Sequence, residues 1–213
     1  MELYGFFRSS TSYRLRIALA LKGLAYEPHY VSLPRMEHRS PEYLAVNPQG
    51  LLPTLVDDDG QAFSQSLAIL EYLEETHPEP PLLPREPGRR ARVRSLAQIV
   101  ACEIHPVNNV RVLKHLQAAW NFSDADRDAW YRHWMAEGLE KVEATLHHDG
   151  LAGRYCCGDA VGLADICLVP QIFNARRFDC PLESYPRTMA IFEACMALPA
   201  FETTQPKYQP DAF

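Results

Sequence analysis

A chain of 213 residues with 47% apolar and 23% charged side chains can bury a core as one large domain or two small ones, which excludes intrinsic disorder. Its 21 basic and 27 acidic residues leave a formal charge of −6, the wrong sign for a nucleic-acid surface or a polybasic membrane anchor. A small-molecule partner is expected instead.

The opening Met1-Glu2-Leu3-Tyr4-Gly5-Phe6 lacks a basic segment followed by a long apolar run, so no secretory leader is expected. Residues 3–6 and 26–31 read as short strands, and Tyr13, Ile17, Ala20, Leu21 and Leu24 recur between them at helical spacing. Leu52-Pro53-Thr54-Leu55-Val56 and Gln61-Ala62-Phe63 read as two antiparallel strands around the turn Asp57-Asp58-Asp59-Gly60. Leu67, Leu70 and Leu73 then mark a helix that Pro78 ends. The order β-α-β-loop-β-β-α is the plan of a thioredoxin-like domain, assigned to residues 1–80.

Pro78, Pro80, Pro81, Pro84 and Pro87 crowd the next stretch, where each forbids a helix interior and biases its predecessor toward extended backbone. Residues 81–87 are therefore read as a stiff linker. Beyond it, residues 88–213 read as all-helical, with helices over 89–116, 124–148, 163–178 and 186–196. Gly162-Leu163-Ala164-Asp165 fixes one helix start, with Asp165 placed to accept from an N-terminal amide and Val161 and Ile166 at staple positions. Asp165 also interrupts the best apolar run, so no segment approaches the ~20 residues of a bilayer span. Cys102, Cys156, Cys157, Cys167, Cys180 and Cys195 show no C-x-x-C spacing, so neither a metal site nor a disulfide framework is expected. The fold class is thus α/β plus all-α, with thiols in a reducing cytoplasm.

The most specific string is Ser9-Ser10-Thr11-Ser12-Tyr13-Arg14-Leu15-Arg16-Ile17-Ala18-Leu19, between the first strand and first helix. With Asn47-Pro48-Gln49-Gly50-Leu51-Leu52-Pro53-Thr54-Leu55, Gln65-Ser66-Leu67-Ala68-Ile69, Ile104-His105-Pro106-Val107-Asn108-Asn109, and Leu163-Ala164-Asp165 through Val169-Pro170-Gln171, it resembles the zeta-class glutathione transferases along essentially the whole chain. Two departures stand out. Thr11 replaces the Cys of the class signature and Tyr13 its Trp; Thr11 keeps a hydroxyl donor and Tyr13 keeps an aromatic under the loop.

The resemblance implies a glutathione-dependent cis-trans isomerase of maleylacetoacetate or maleylpyruvate, working as a cytoplasmic homodimer. A thiolate that adds reversibly to a conjugated double bond lowers its order, lets it rotate and leaves unchanged. A thiol of pKa about 8.5 needs about 2.7 kcal/mol of preferential thiolate stabilisation to fall by two units. Hydroxyls, amides and the dipole at a helix start can supply that. Ser9 is the first choice for the sulfur contact, with Ser10 and Thr11 next. Simple N-capping is the plainer reading of such a run taken alone.

For the rest of the cofactor, Gln65 and Ser66 suit the γ-glutamyl carboxylate, Leu52 before Pro53 suits the cysteinyl backbone, and His38 and Gln49 suit the glycine end. In the class that proline is cis. Arg8, Arg111 and Arg176 are the candidate guanidinium groups for a small dicarboxylate substrate, since a planar fork matches a carboxylate. Arg14 and Arg16 read as structural. His105 and Asn109, four apart, either line the site or cap a break at Pro106. The rival activities are conjugation of glutathione to electrophiles such as α-halo acids, and a silent glutathione-binding scaffold.

Overall fold

The first strand, β1 (Glu2–Gly5), buries Leu3 and leads through a short loop into α1 (Ser10–Lys22), whose Leu15, Ile17, Ala18 and Leu19 are fully buried. Gly23 ends α1 at φ 65°, and Leu24 N–H returns to Leu19 O, a left-handed closure suited to glycine. The chain crosses to β2 (Glu27–Tyr30), parallel to β1. β3 (Thr54–Val56) runs antiparallel to β1, and β4 (Ala62–Ser64) antiparallel to β3, giving the order β2-β1-β3-β4. Pro28 is tolerated in β2 because that strand is an edge. α3 (Ser66–Thr76) follows β4 and packs Ile69, Leu70 and Leu73 inward.

These elements match the expected order. Sequence periodicity passes over α2 (Pro41–Val46) and the 3-10 turn Glu37–Arg39, both too short to show a repeat. The computed structural model describes residues 1–148 and 150–213 and packs them as two units, Met1–Leu82 with Ala197–Phe213, and Leu83–Met196.

That division differs from the expected one at the end of the chain. Residues 197–213, grouped above with the helical domain, pack on the first unit. Tyr13 Oη donates to Phe201 O at 2.8 Å, and Arg16 Nε donates to Thr204 O at 3.1 Å, just beyond α10 (Pro199–Glu202). Two polar groups of α1 thus find backbone acceptors in that segment. The proline-rich stretch leaves the first unit under similar control. Buried Lys22 donates to Glu74 Oε2 at 3.2 Å, His77 O at 2.7 Å and Pro80 O at 3.0 Å, while Glu74 Oε2 accepts Leu82 N at 2.8 Å.

In the second unit, the single helix expected over 89–116 is divided. α4 (Pro87–Gln98) starts where Glu86 accepts from Gly88 N and Arg89 N, and passes into a π-helical stretch, Ile99–Ile104. α5 (His105–Val107) and α6 (Val110–Trp120) follow. Pro106 cannot donate an amide to the helix ladder, and the wider π turns precede it.

α7 (Asp124–His148) crosses the π stretch at Gly138, where a Cβ would lie 2.1 Å from Ile104 Cγ1. Helices α8 (Leu163–Arg177) and α9 (Pro186–Met196) match expectation to within a residue. Glu143 of α7 caps α9 from outside, accepting Arg187 N at 2.9 Å, Thr188 N at 2.8 Å and Thr188 Oγ1 at 2.7 Å. Among the described residues no helix is long and apolar enough to cross a membrane.

Candidate functional site

Ser9 is the N-cap of α1, with extended backbone and Oγ accepting Ser12 N at 3.2 Å. Its Oγ lies 2.9 Å from Thr11 Oγ1, and Thr11 Oγ1 donates to Leu52 O at 3.1 Å. Thr11 has one hydroxyl hydrogen and uses it on Leu52, so Ser9 is the donor to Thr11. An anion arriving at the start of α1 gains the Ser9 hydrogen by a rotation about the Cβ–Oγ bond, which releases Thr11 and leaves the cap on Ser12 N in place. Ser10, only 7% exposed, is the least accessible of the three hydroxyls, and Ser9 and Thr11 are half-buried.

The loop before Ser9 is held from behind. Arg16 Nη2 donates to Phe7 O at 3.0 Å, and Phe7 N donates to Asp211 Oδ2 at 2.9 Å. Burial pushes the Arg16 guanidinium down to about 10, which leaves it cationic at neutral pH.

The Leu52–Pro53 peptide is cis, as the resemblance implies. Its loop is fixed by Tyr43 Oη on Leu51 O at 2.5 Å and by Asn47 Nδ2 on Leu51 O and Thr54 Oγ1, both at 2.9 Å. The Asn47-Pro48-Gln49-Gly50 motif is therefore partly scaffolding. Gly50 has φ 58°, and a Cβ there would sit 3.0 Å from His38 O, so this glycine lets the half-buried His38 segment close on the Gln49 loop. Gln49 Nε2 donates to Ser64 Oγ at 3.0 Å, and Gln65 Nε2 donates to Gln49 Oε1 at 2.8 Å.

Gln65 itself sits at φ 69° and ψ 110°, a conformation that costs a side-chain-bearing residue roughly 1–3 kcal/mol and that clusters at ligand sites. Ser66 opens α3, and its Oγ accepts from Arg14 Nη1 at 3.2 Å. Arg14 is 1% exposed, and its Nε and Nη2 have no hydrogen-bond partner among the described residues. Neither α1 nor α3 has an acidic residue in its first turn, so the positive ends of both dipoles stay uncompensated.

The first unit thus brings together Ser9, Thr11 and Leu52 by direct bonds, and Gln49 with Gln65. Arg14 joins Ser66 to α1. Arg14, read from sequence as structural, touches a candidate binding residue; the only signal was a charge on an otherwise apolar helix face. Asp211, against the Phe7 amide, was missed because its partner lies more than two hundred positions away.

Four predicted residues lie in the second unit. Asn109 caps α6, its Oδ1 accepting Arg111 N at 3.1 Å, and its Nδ2 lies 3.3 Å from His105 Nε2. The capping alternative is realised, one turn past Pro106. Arg111 is exposed in the first turn of α6. Arg176 ends α8 with Nη2 3.1 Å from Glu193 Oε1 and its guanidinium 4.4 Å from the Phe192 ring centre. It borders a groove of about 500 Å³ that Asp179 and Glu183 also line, an unfavourable wall for a dianion.

Asp165 is the folding cap expected. Its Oδ2 accepts Gly162 N and its Oδ1 accepts Cys156 N, both at 2.9 Å. It is 1% exposed, and burial pushes its carboxyl up despite those bonds. Among the described residues no cluster of His, Cys, Asp or Glu could hold a metal ion.

The chain matches the glutathione S-transferase N-terminal domain over residues 8–76 and the glutathione S-transferase C-terminal domain over residues 133–199. It is 46% identical over 213 residues to the maleylacetoacetate isomerase of Pseudomonas aeruginosa, covering 99% of this chain and 98% of that one. A solved holo maleylpyruvate isomerase, described as a bacterial zeta-class glutathione S-transferase, is 47% identical with a TM-score of 0.97 over 100% of both chains. The maleylacetoacetate isomerase of Methylobacterium extorquens AM1, solved with bound malonate and glutathione, is 42% identical with a TM-score of 0.96, again over 100% of both chains. With a hydroxyl-capped α1 facing a cis-proline loop, a thioredoxin-like sheet and a helical second unit, the chain belongs to the glutathione S-transferase family. Within that family it is of the zeta class.

Proposed function

We propose that the protein is a glutathione-dependent cis-trans isomerase acting on maleylacetoacetate or maleylpyruvate. The observation that carries this reading is the Ser9 hydroxyl, set at the uncompensated positive end of α1 and linked through Thr11 to the Leu52 carbonyl. Glutathione suits these residues. A peptide backbone laid along Leu52 lies one side chain, Thr11, away from Ser9, and the exposed Gln49–Gln65 pair borders the start of α3.

Bound glutathione supplies a thiolate that adds reversibly to the conjugated double bond, allows its rotation and is regenerated. Ser9 turns its hydrogen from Thr11 to the sulfur and, with the dipole of α1, holds it as the anion. Thr11 keeps its own hydrogen on Leu52 and so fixes the distance between loop and helix. Leu52 offers its backbone to the cysteinyl part. Gln65 and Ser66, with Arg14 behind them, receive the γ-glutamyl carboxylate, and His38 and Gln49 the glycine end. Arg8 pairs with a substrate carboxylate. His105 orients Asn109. The same reading makes the protein a cytoplasmic homodimer, which sedimentation of the purified chain tests.

The deciding assay combines purified protein, substoichiometric glutathione and each maleyl substrate, and follows fumaryl product together with total thiol. Turnover at constant thiol is the expected result. Loss of thiol in step with product makes the enzyme a conjugating transferase, and the absence of turnover on both substrates removes the proposal.

A further inference from the structure

Arg8 lies one residue before Ser9 and is exposed, yet its guanidinium is not loose. The guanidinium carbon sits 5.2 Å from the Phe7 ring centre, 5.3 Å from that of Phe213 and 6.0 Å from that of Phe6. Phe7 and Phe213 meet edge to face at 5.0 Å, and Phe213 lies 6.5 Å from Phe6. Phe6 and Phe7 are core residues at 5% exposure, whereas Phe213 is 81% exposed and has no core to fill. The tail that delivers Phe213 is fastened two residues earlier by Asp211 on the Phe7 amide.

A guanidinium over an aromatic ring is attracted through its π-face, which leaves its N–H fork in the plane available for a carboxylate. Among the described residues no carboxylate or hydrogen-bond acceptor engages Arg8. Its contacts with the aromatic rings restrain the guanidinium and accept no conventional hydrogen bond from it. An arginine of four rotatable bonds loses considerable rotamer freedom when it binds a ligand, and a side chain already held loses less.

We propose that Phe213 is a positioning residue for substrate: with Phe7 it forms an aromatic clamp that holds the Arg8 guanidinium, donors outward, ready for one carboxylate of a small dicarboxylic acid. The inference rests on the reading of Arg8 as a carboxylate partner, so the experiment includes both residues. It also makes the tail a determinant of how tightly the acid binds, separate from the machinery that holds glutathione.

The test is calorimetric titration of malonate into the glutathione-loaded protein, with KM and kcat for the maleyl substrate measured in parallel. Phe213→Ala is expected to weaken malonate and raise the substrate KM by roughly three- to five-fold, the scale of one exposed cation–π contact, with kcat and glutathione affinity unchanged. Phe213→Tyr is expected to restore both values, and Phe213→Leu, apolar but without a ring, to leave them weak. Full rescue by Leu, unchanged binding in Phe213→Ala, or tighter binding in it overturns the clamp. Arg8→Ala separates the two levels. If it leaves malonate binding intact, the reading of Arg8 fails; if it weakens malonate by more than Phe213→Ala does while Phe213→Ala has no effect, only the clamp fails.

Discussion

Two helix starts in this protein use the same physics for opposite ends. At α8, Asp165 places a carboxylate on the amides of Gly162 and Cys156 deep in the second unit. At α1, Ser9 provides a neutral hydroxyl, the first turn has no acid, and the site remains partly open. The difference means that a helix start left without a carboxylate keeps its attraction for an anion. A carboxylate makes the stronger electrostatic partner for the dipole and for that reason removes the attraction for any incoming anion.

The comparison can be broken most forcefully at the closed end. Asp165→Ala leaves two inward-facing amides without acceptors and is expected to lower unfolding free energy by about 2–5 kcal/mol, read by denaturant titration. Molecules that still fold should turn over at the normal rate, because this helix start touches no reacting group.

At the open end, Ser9→Ala is expected to reduce turnover about 100-fold, the equivalent of two units of thiol pKa, with little change in glutathione affinity. Equal losses in turnover and affinity would reduce Ser9 to a binding residue. Ser9→Asp sharpens the contrast, since aspartate is as good a cap as serine. That variant should match or exceed the stability of the parent at neutral pH, yet lose more turnover than Ser9→Ala, because its carboxylate repels the thiolate. Retained activity in Ser9→Asp would show that the charge at this position is irrelevant.

Glu143 offers an intermediate case, a carboxylate that caps α9 from another helix. Burial pushes its carboxyl up, but the bonds from Thr188, Arg187 and His147 outweigh this and hold it below the ordinary value. A folded-state pKa below the unfolded one means that its contribution is present above the unfolded value, about 4.3, and is lost as pH falls through the lower folded value. Glu143→Gln should therefore flatten the acid limb of the stability profile, which melting temperatures across that range would reveal. The smallest effect is expected from Thr11→Val. Losing its bond to Leu52 O should raise the KM for glutathione about three-fold, with kcat altered less.

Much of this was legible in the sequence because it is local. The cap at Asp165 follows from four consecutive residues, and the βαβ start follows from spacing. The cis peptide before Pro53 came only through family resemblance, since spacing carries no sign of it. The division of the 89–116 helix was not legible: π turns leave the apolar pattern nearly intact, and the close approach of Gly138 to Ile104 is a tertiary fact.

The site divides the same way. Ser9, Gln65 and Ser66 stand out in their motifs, but the strain at Gln65, the bond from Arg14 to Ser66 and the clamp on Arg8 arise from contacts between distant segments. Nothing in a one-dimensional pattern distinguishes a tail phenylalanine that packs on a loop from one that does not.

The return of residues 197–213 to the first unit has a consequence for biosynthesis. A nascent chain that has emerged only as far as α9 lacks the carbonyls of Phe201 and Thr204 and the carboxylate of Asp211, which accept from Tyr13 Oη, Arg16 Nε and the Phe7 amide in the finished fold. The loop that carries Ser9 therefore gains its full set of supports only once residues 197–213 have been made. Topologically, the helical unit is an insertion within the unit that carries Ser9, and a chain stopped anywhere inside it lacks all three of those partners.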